Sequence, residues 1–184
     1  MTIPAPWVSL TADEKRTRTL AVADRLFARD GVDVPMPVLA RELGVGVGSI
    51  YRQVGAKDEI VAALVIERAL RLRDRFRAAL AEADAWVALE AATFATVDDC
   101  VADALTQTTW DVAAEISAEA RAARAAATEA LAALVQRARA AGVLRADADH
   151  EDLRLLFCSL RDLAAIGPEA AHRLAELVLR GIRA

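Results

Sequence analysis

The chain has 184 residues and is 55% hydrophobic but only 4% aromatic, so a core must come from Ala, Leu and Val, which favours an all-helical protein. Its net charge is −4, which by itself argues against a nucleic-acid partner; residues 1–60 are neutral, however, with eight basic and eight acidic side chains, and the deficit falls in the remainder. No apolar run approaches the ~20 residues of a membrane span, and "MTIPAPWVSL" lacks the basic start and apolar middle of a secretory signal, so the expectation is a cytoplasmic protein with no membrane partner.

A first helix is predicted from Thr11, where "TADE" is a Thr-x-x-Glu capping box, to a stop at Gly31; Leu20, Ala23 and Phe27 make its apolar stripe. Five of the eight glycines and two of the five prolines lie between Gly31 and Gly55, which implies short elements and tight bends. A second helix runs through Val38, Leu39, Ala40 and Leu43 to Gly44, a short third covers Val47–Gln53, and a fourth runs from Lys57 to about residue 83. Asp58 and Glu59 suit the positive end of that fourth helix. Helices are then predicted near 84–92, 96–107, 111–141, 150–166 and 168–183, with Pro168 at a first helical position. No alternating strand pattern occurs.

"GVGVGSIYRQV", residues 44–54, admits two readings. A dinucleotide fingerprint needs a third glycine where Ser49 stands and a strand where "VLAREL" has helical spacing; a Walker-type loop needs a Gly-Lys-Ser/Thr that is missing. As geometry the stretch fits a helix-turn-helix: Gly44 takes the left-handed bend, Ala40 permits a close crossing, and Leu39, Leu43, Val45 and Ile50 point inward. Gly46 is a weak N-cap, and Gly48 removes bulk from the first turn of the short helix, letting backbone approach a phosphate. A plain helical hairpin leaves unexplained an outward row of Ser49, Tyr51, Arg52 and Gln53 with Lys57 beyond, all donors to phosphates or base edges.

With "AxxLF" before Gly31, "LAxELGV" over the second helix, and "GSIYRQV" followed by "KDE", residues 16–60 resemble the DNA-binding head of TetR-family transcriptional regulators. The resemblance implies a homodimer on a near-palindromic operator of double-stranded DNA, usually a repressor released by a small-molecule effector. It implies phosphate contacts for Ser49, Tyr51 and Lys57, a donor role for Gln53, and a groove-facing surface made by Val47, Gly48 and Arg52. Arg52 alone among these last three can read a guanine bidentately. Three positions depart from the family pattern: Val54 for a frequent Phe, Thr19 for an aliphatic residue, and Gly46 for a Ser or Thr cap.

The rest of the chain is less marked. Parts of it, "DAWVALEAATF" and "ARAAGVLRADADHEDLRLLFCSLRDL", resemble the ligand-binding, dimer-forming body of some family members. The implied division is a helix-turn-helix DNA-binding domain at 1–60 and a helical ligand-binding and dimerisation domain at 61–184. Leu153, Leu156, Leu160 and Leu163, with Leu174, Leu177, Val178 and Gly181, form two stripes expected to pair with their copies as a four-helix bundle, with Phe157 beside the first. Trp86, Phe94, Cys100, Trp110 and Phe157 are candidates to line an effector pocket, although large apolar side chains are more often plain core. The arginines at 68, 71, 73, 75 and 77 read as a solvated face, with Glu67 and Arg71 an i,i+4 pair. Cys100 and Cys158 read as half-buried free thiols; with no CxxC, and no ligand spacing at His150 or His172, neither a metal site nor a cofactor is expected.

Three classes compete: a ligand-responsive regulator, an enzyme, and a helical interaction protein with a vestigial head. Glu14, Asp99 or His150 would have to act as acid or base in an enzyme, and no paired carboxylates or nucleophile–base pattern is visible. The regulator is the strongest expectation.

Overall fold

A computed structural model describes residues 6–102, 117–163 and 167–184, the side chains of 161–163 excepted. Among the described residues the chain is helical. A short 3-10 turn, Trp7–Ser9, leads to α1 (Ala12–Asp30), α2 (Met36–Leu43), α3 (Val47–Gln53), α4 (Lys57–Ala79), α5 (Ala85–Ala102), α6 (Ala118–Ala140), α7 (His150–Leu163) and α8 (Pro168–Ile182). None is long and apolar enough to cross a membrane.

Two apolar clusters organise these helices. The first gathers Ala23, Leu26 and Phe27 of α1, Leu39 and Leu43 of α2, Ile50 of α3, and Ile60, Leu64 and Val65 of α4; Trp7 lies half-buried against it. Ala120, in the first turn of α6, belongs to the same cluster. The second is built on α5, which packs against α4, α6, α7 and α8. Surrounded on several sides, α5 carries Trp86, Leu89, Thr93, Val97 and Cys100 as buried residues and shows no single apolar stripe. Alanines at 120, 123, 127 and 130 are buried in α6, whose main neighbour is α4.

The capping box at Thr11 is present: the Thr11 N–H donates to Glu14 Oε2 at 2.7 Å, and the Glu14 N–H donates to Thr11 Oγ1 at 3.2 Å. The first three predicted helices fall where the sequence places them. Thr19 is fully buried, and its hydroxyl donates to the Lys15 carbonyl at 2.8 Å, so the polar residue in an aliphatic position is satisfied within its own helix.

Four expectations change. α4 stops at Ala79 rather than near 83, because the Arg137 guanidinium reaches across from α6 to the carbonyls of Ala79, Glu82 and Ala83 and stabilises the turn there. Asp84 then caps α5, accepting from the Trp86 N–H at 2.8 Å and the Val87 N–H at 3.0 Å. α5 is one helix where a break was expected after 92; the Thr93 and Thr96 hydroxyls bond back to the Leu89 and Ala92 carbonyls, so neither threonine interrupts it. The predicted helix ends near 107 and 111 lie outside the described residues. The arginine series of α4 is not a single solvated face. Arg71 does pair with Glu67, but Arg68 is 5% exposed and bonds to Asp24 of α1, while Arg75 is half-buried and reaches Asp99 of α5 at 2.7 Å. Spacing explains this, since Arg68 follows Leu64 and Val65 by four and three positions on the face turned to α1. Finally, Cys100 is buried but Cys158 is exposed, so the two thiols are not alike and not both half-buried.

Candidate nucleic-acid interface

The geometry of α3 starts in the turn before it. Gly44 ends α2 with φ 70° and ψ 33°, a left-handed conformation that a side chain would strain, and the next N–H, that of Val45, bonds back to the Ala40 carbonyl at 3.0 Å. Leu39, Ala40 and Leu43 are buried against the neighbouring helices, and Ile50, 0% exposed, is the buried anchor of α3. Gly46 stands at the N-cap with no side-chain bond, as the glycine there implies.

One buried anchor leaves the remaining face of α3 to solvent. Gly48, Tyr51 and Arg52 are exposed, and Val47, Ser49 and Gln53 are half-buried at its margins. Tyr51 is 51% exposed, a large aromatic surface with no core role. Arg52 donates from Nη2 to Ser49 Oγ at 3.4 Å; among the described residues no carboxylate pairs with it.

Behind α3 the chain turns sharply into α4. Gly55 has φ 104°, and a Cβ there would lie 1.9 Å from the Glu59 carboxylate. That carboxylate accepts the Ala56 N–H at 2.7 Å and fixes the start of α4, where Lys57 is the first residue. The sequence points to Glu59 only through the helix dipole; "GAKDE" contains both residues, but the fold alone shows that one occupies the space the other leaves. The structure thus brings Ser49, Tyr51, Arg52 and Gln53 onto one short helix and sets Lys57 at the next helix start.

This geometry agrees with two sequence comparisons. A model of bacterial regulatory proteins of the tetR family matches residues 20–64, and a model of the C-terminal domain of SbtR-like transcriptional regulators matches residues 81–184. The chain belongs to the TetR family. It is a transcriptional regulator, and its first helices are the family's helix-turn-helix DNA-binding unit. The fold is similar to that of a TetR transcription regulatory protein from Mycobacterium vanbaalenii (29% identity, TM-score 0.65, covering 94% of this chain and 97% of that one). It is similar also to a TetR transcriptional regulator from Streptomyces coelicolor (29% identity, TM-score 0.65, 91% and 98%). The TetR-family regulator PfmR from Thermus thermophilus, at 24% identity, shares the fold with a TM-score of 0.70 over 89% and 97%. No curated protein matches.

The body of this TetR-family chain distributes the other predicted residues differently from the sequence pattern. Leu153, Leu156 and Leu160 are buried within the chain itself, at 0%, 2% and 0% exposure, and so do not form an outward stripe. They occupy the side of α7 that faces α5 and α8, a choice that helical spacing alone leaves open. Among the described side chains of α7 and α8 the exposed large apolar residues are Leu155 and Leu177, 61% and 50% exposed, which the leucine stripe overlooked in the first case and included in the second. Leu155, Ser159, Leu174, Val178 and Gly181, with the edge of the otherwise buried Leu156, line an open groove of about 460 Å³ between α7 and α8. The side chain of Leu163 lies outside the described residues.

Of the pocket candidates, Trp86 and Cys100 are buried members of the second cluster, and Phe94 and Phe157 are half-buried against it. Trp86 carries the Arg183 guanidinium 4.3 Å above its ring, and Phe94 packs on His172 at 5.5 Å. Trp110 lies outside the described residues.

Proposed function

We propose that this regulator binds a near-palindromic operator as a homodimer, represses transcription from it in the cytoplasm, and is released by a small molecule. The observation that carries the reading is the outward face of α3, which presents an exposed tyrosine and an arginine with no carboxylate partner among the described residues, from a helix held by one fully buried isoleucine. In this reading residues 1–60 form the DNA-binding domain and residues 61–184 the ligand-binding and dimerisation domain. Ser49, Tyr51 and Lys57 bind phosphates, Gln53 donates to a phosphate or a base, and Val47, Gly48 and Arg52 face the major groove. A dimer doubles the half-site and sets its spacing.

The groove between α7 and α8 supports the dimer: Leu155, Leu156, Leu174, Val178 and Gly181 line it and Leu177 is exposed on the same helix as the last three, an apolar surface that a second copy would cover. Leu153 and Leu160 act behind that surface as its support, and Leu156 forms part of its floor. An effector pocket is proposed near Trp86, Phe94, Cys100 and Phe157. The reading that the head is vestigial makes the opposite prediction for DNA.

Fluorescence anisotropy with DNA from upstream of the protein's own gene, beside scrambled DNA, tests the proposal. Specific binding that weakens steeply with salt supports it. Lys57→Ala then weakens binding evenly across sequences and lowers the salt slope by about one. Equal, weak binding to own-upstream, scrambled and pool-selected DNA supports the vestigial head.

A further inference from the structure

We infer that Ser49 is a positioning residue for Arg52, and that Gly48, Ser49 and Arg52 together read a guanine in each operator half-site. The inference rests on the DNA-binding reading above and goes beyond the phosphate contact that the family resemblance implies for Ser49.

Arg52 follows Gly48 by four residues and Ser49 by three, so all three share a face of α3, and a helical side chain leans toward the N-terminus of its own helix. The guanidinium accordingly lies back over the first turn, with Nη2 donating to Ser49 Oγ at 3.4 Å and Nη1 3.5 Å from where a Cβ on Gly48 would sit. The absent side chain at Gly48 leaves the space beside Nη1 open on the exposed side of the helix. Arg52 has five N–H donors, and Ser49 uses one of them, which leaves enough for the O6 and N7 acceptors of a guanine. The Ser49 bond is long, so it guides the guanidinium without locking it.

The serine hydroxyl has a second capacity. It accepts from Arg52 through a lone pair, and its own proton remains available to donate. A phosphate taking that proton would polarise the hydroxyl toward Arg52, so that backbone seating and base reading reinforce each other across one side chain. Ser49 would thereby contribute to sequence preference although it touches no base.

The test is selection from a random duplex pool with the full-length protein, followed by anisotropy on the selected duplex and on variants at each guanine. Wild type is expected to prefer guanine over other bases at one position per half-site by about tenfold or more. Arg52→Ala abolishes that preference. Ser49→Ala lowers it by about threefold or more, Ser49→Thr retains it, and the double variant is no less selective than Arg52→Ala alone. Alanine suits a helix, and matching thermal melts confirm that these variants are folded. If Ser49→Ala weakens all duplexes equally with the guanine preference intact, serine is a phosphate ligand only and the inference falls while DNA recognition stands. A selected site with no Arg52-dependent guanine overturns it in the same way. A wild-type protein that enriches no sequence overturns the DNA-binding reading and this inference together.

Discussion

The two ends of the molecule use apolar residues at the same helical spacing for different purposes. In the head, Leu39, Leu43, Ile50 and Phe27 are all core, and what α3 exposes beside them is polar and aromatic: Ser49, Tyr51, Arg52. In the body, α7 has apolar residues on both sides, with Leu153, Leu156 and Leu160 inward and Leu155 outward. A head with a polar exposed face announces its partner chemically. A body with apolar residues on both sides does not say which serve the chain's own core, and only burial separates them.

Substitutions at neighbouring leucines test that difference most strongly. Leu153→Ala, at a fully buried position, is expected to destabilise the chain by roughly 2–5 kcal/mol in urea titrations. Leu155→Asp, two residues along and 61% exposed, is expected to leave the monomer's stability within about 0.5 kcal/mol while shifting sedimentation toward the monomer. Equal destabilisation by the two would erase the distinction between inner and outer faces.

The join between head and body is tested next. Arg68 is buried while its partner Asp24 remains half-exposed, so the two deletions are unequal. Asp24→Ala takes the charged partner from a buried guanidinium that keeps its bond to the Leu64 carbonyl, and is expected to cost roughly 1.5–3 kcal/mol; Arg68→Met leaves a carboxylate that water reaches and costs less. The same ranking in thermal and urea unfolding checks it, and a larger loss for Arg68→Met would show that the arginine is held mainly by other partners.

A smaller effect is expected at the turn before α3. Gly44→Ala puts a side chain at φ 70° and should cost about 1–2 kcal/mol, with DNA affinity falling as α3 loses its fixed angle. Unchanged affinity at unchanged stability would mean that α3 does not depend on that bend.

The smallest effect concerns acid. The Thr11 backbone N–H and then its hydroxyl hold the Glu14 carboxylate below its ordinary pKa, and the Val87 and Trp86 N–H groups do the same for Asp84. A depressed folded pKa means stability that is complete above the unfolded value, about 4, and lost as pH falls through the lower folded value. Glu14→Gln, which removes the titrating carboxylate, should therefore make the acid limb of a melting-temperature profile shallower and leave the neutral-to-basic region parallel to wild type, whereas Thr11→Ala, which keeps the backbone donor, should do so only in part.

Much of the head was legible because its signals are local. The Thr11–Glu14 box, the glycines at 31, 44 and 55, and the inward Leu39, Leu43 and Ile50 each follow from a few adjacent residues. The Arg68–Asp24 pair spans 44 positions, and the sequence offered only a weak sign of it in the register of Arg68 with Leu64 and Val65. The end of α4 at Ala79 was hidden for the same reason, since the arginine that binds those carbonyls is 58 residues away from Ala79. The α7 leucines failed differently. Both faces fit a helix period, and tertiary packing decided between them.

The α3 face is tested most directly by one anisotropy experiment comparing wild type with Tyr51→Ala on a selected duplex and a scrambled one, over a series of salt concentrations. Wild type is predicted to prefer the selected duplex with a steep salt dependence, and Tyr51→Ala, folded to the same melting temperature, to lose most of that affinity. Retained tight and selective binding by Tyr51→Ala would contradict the assignment of the α3 face as the surface that meets DNA.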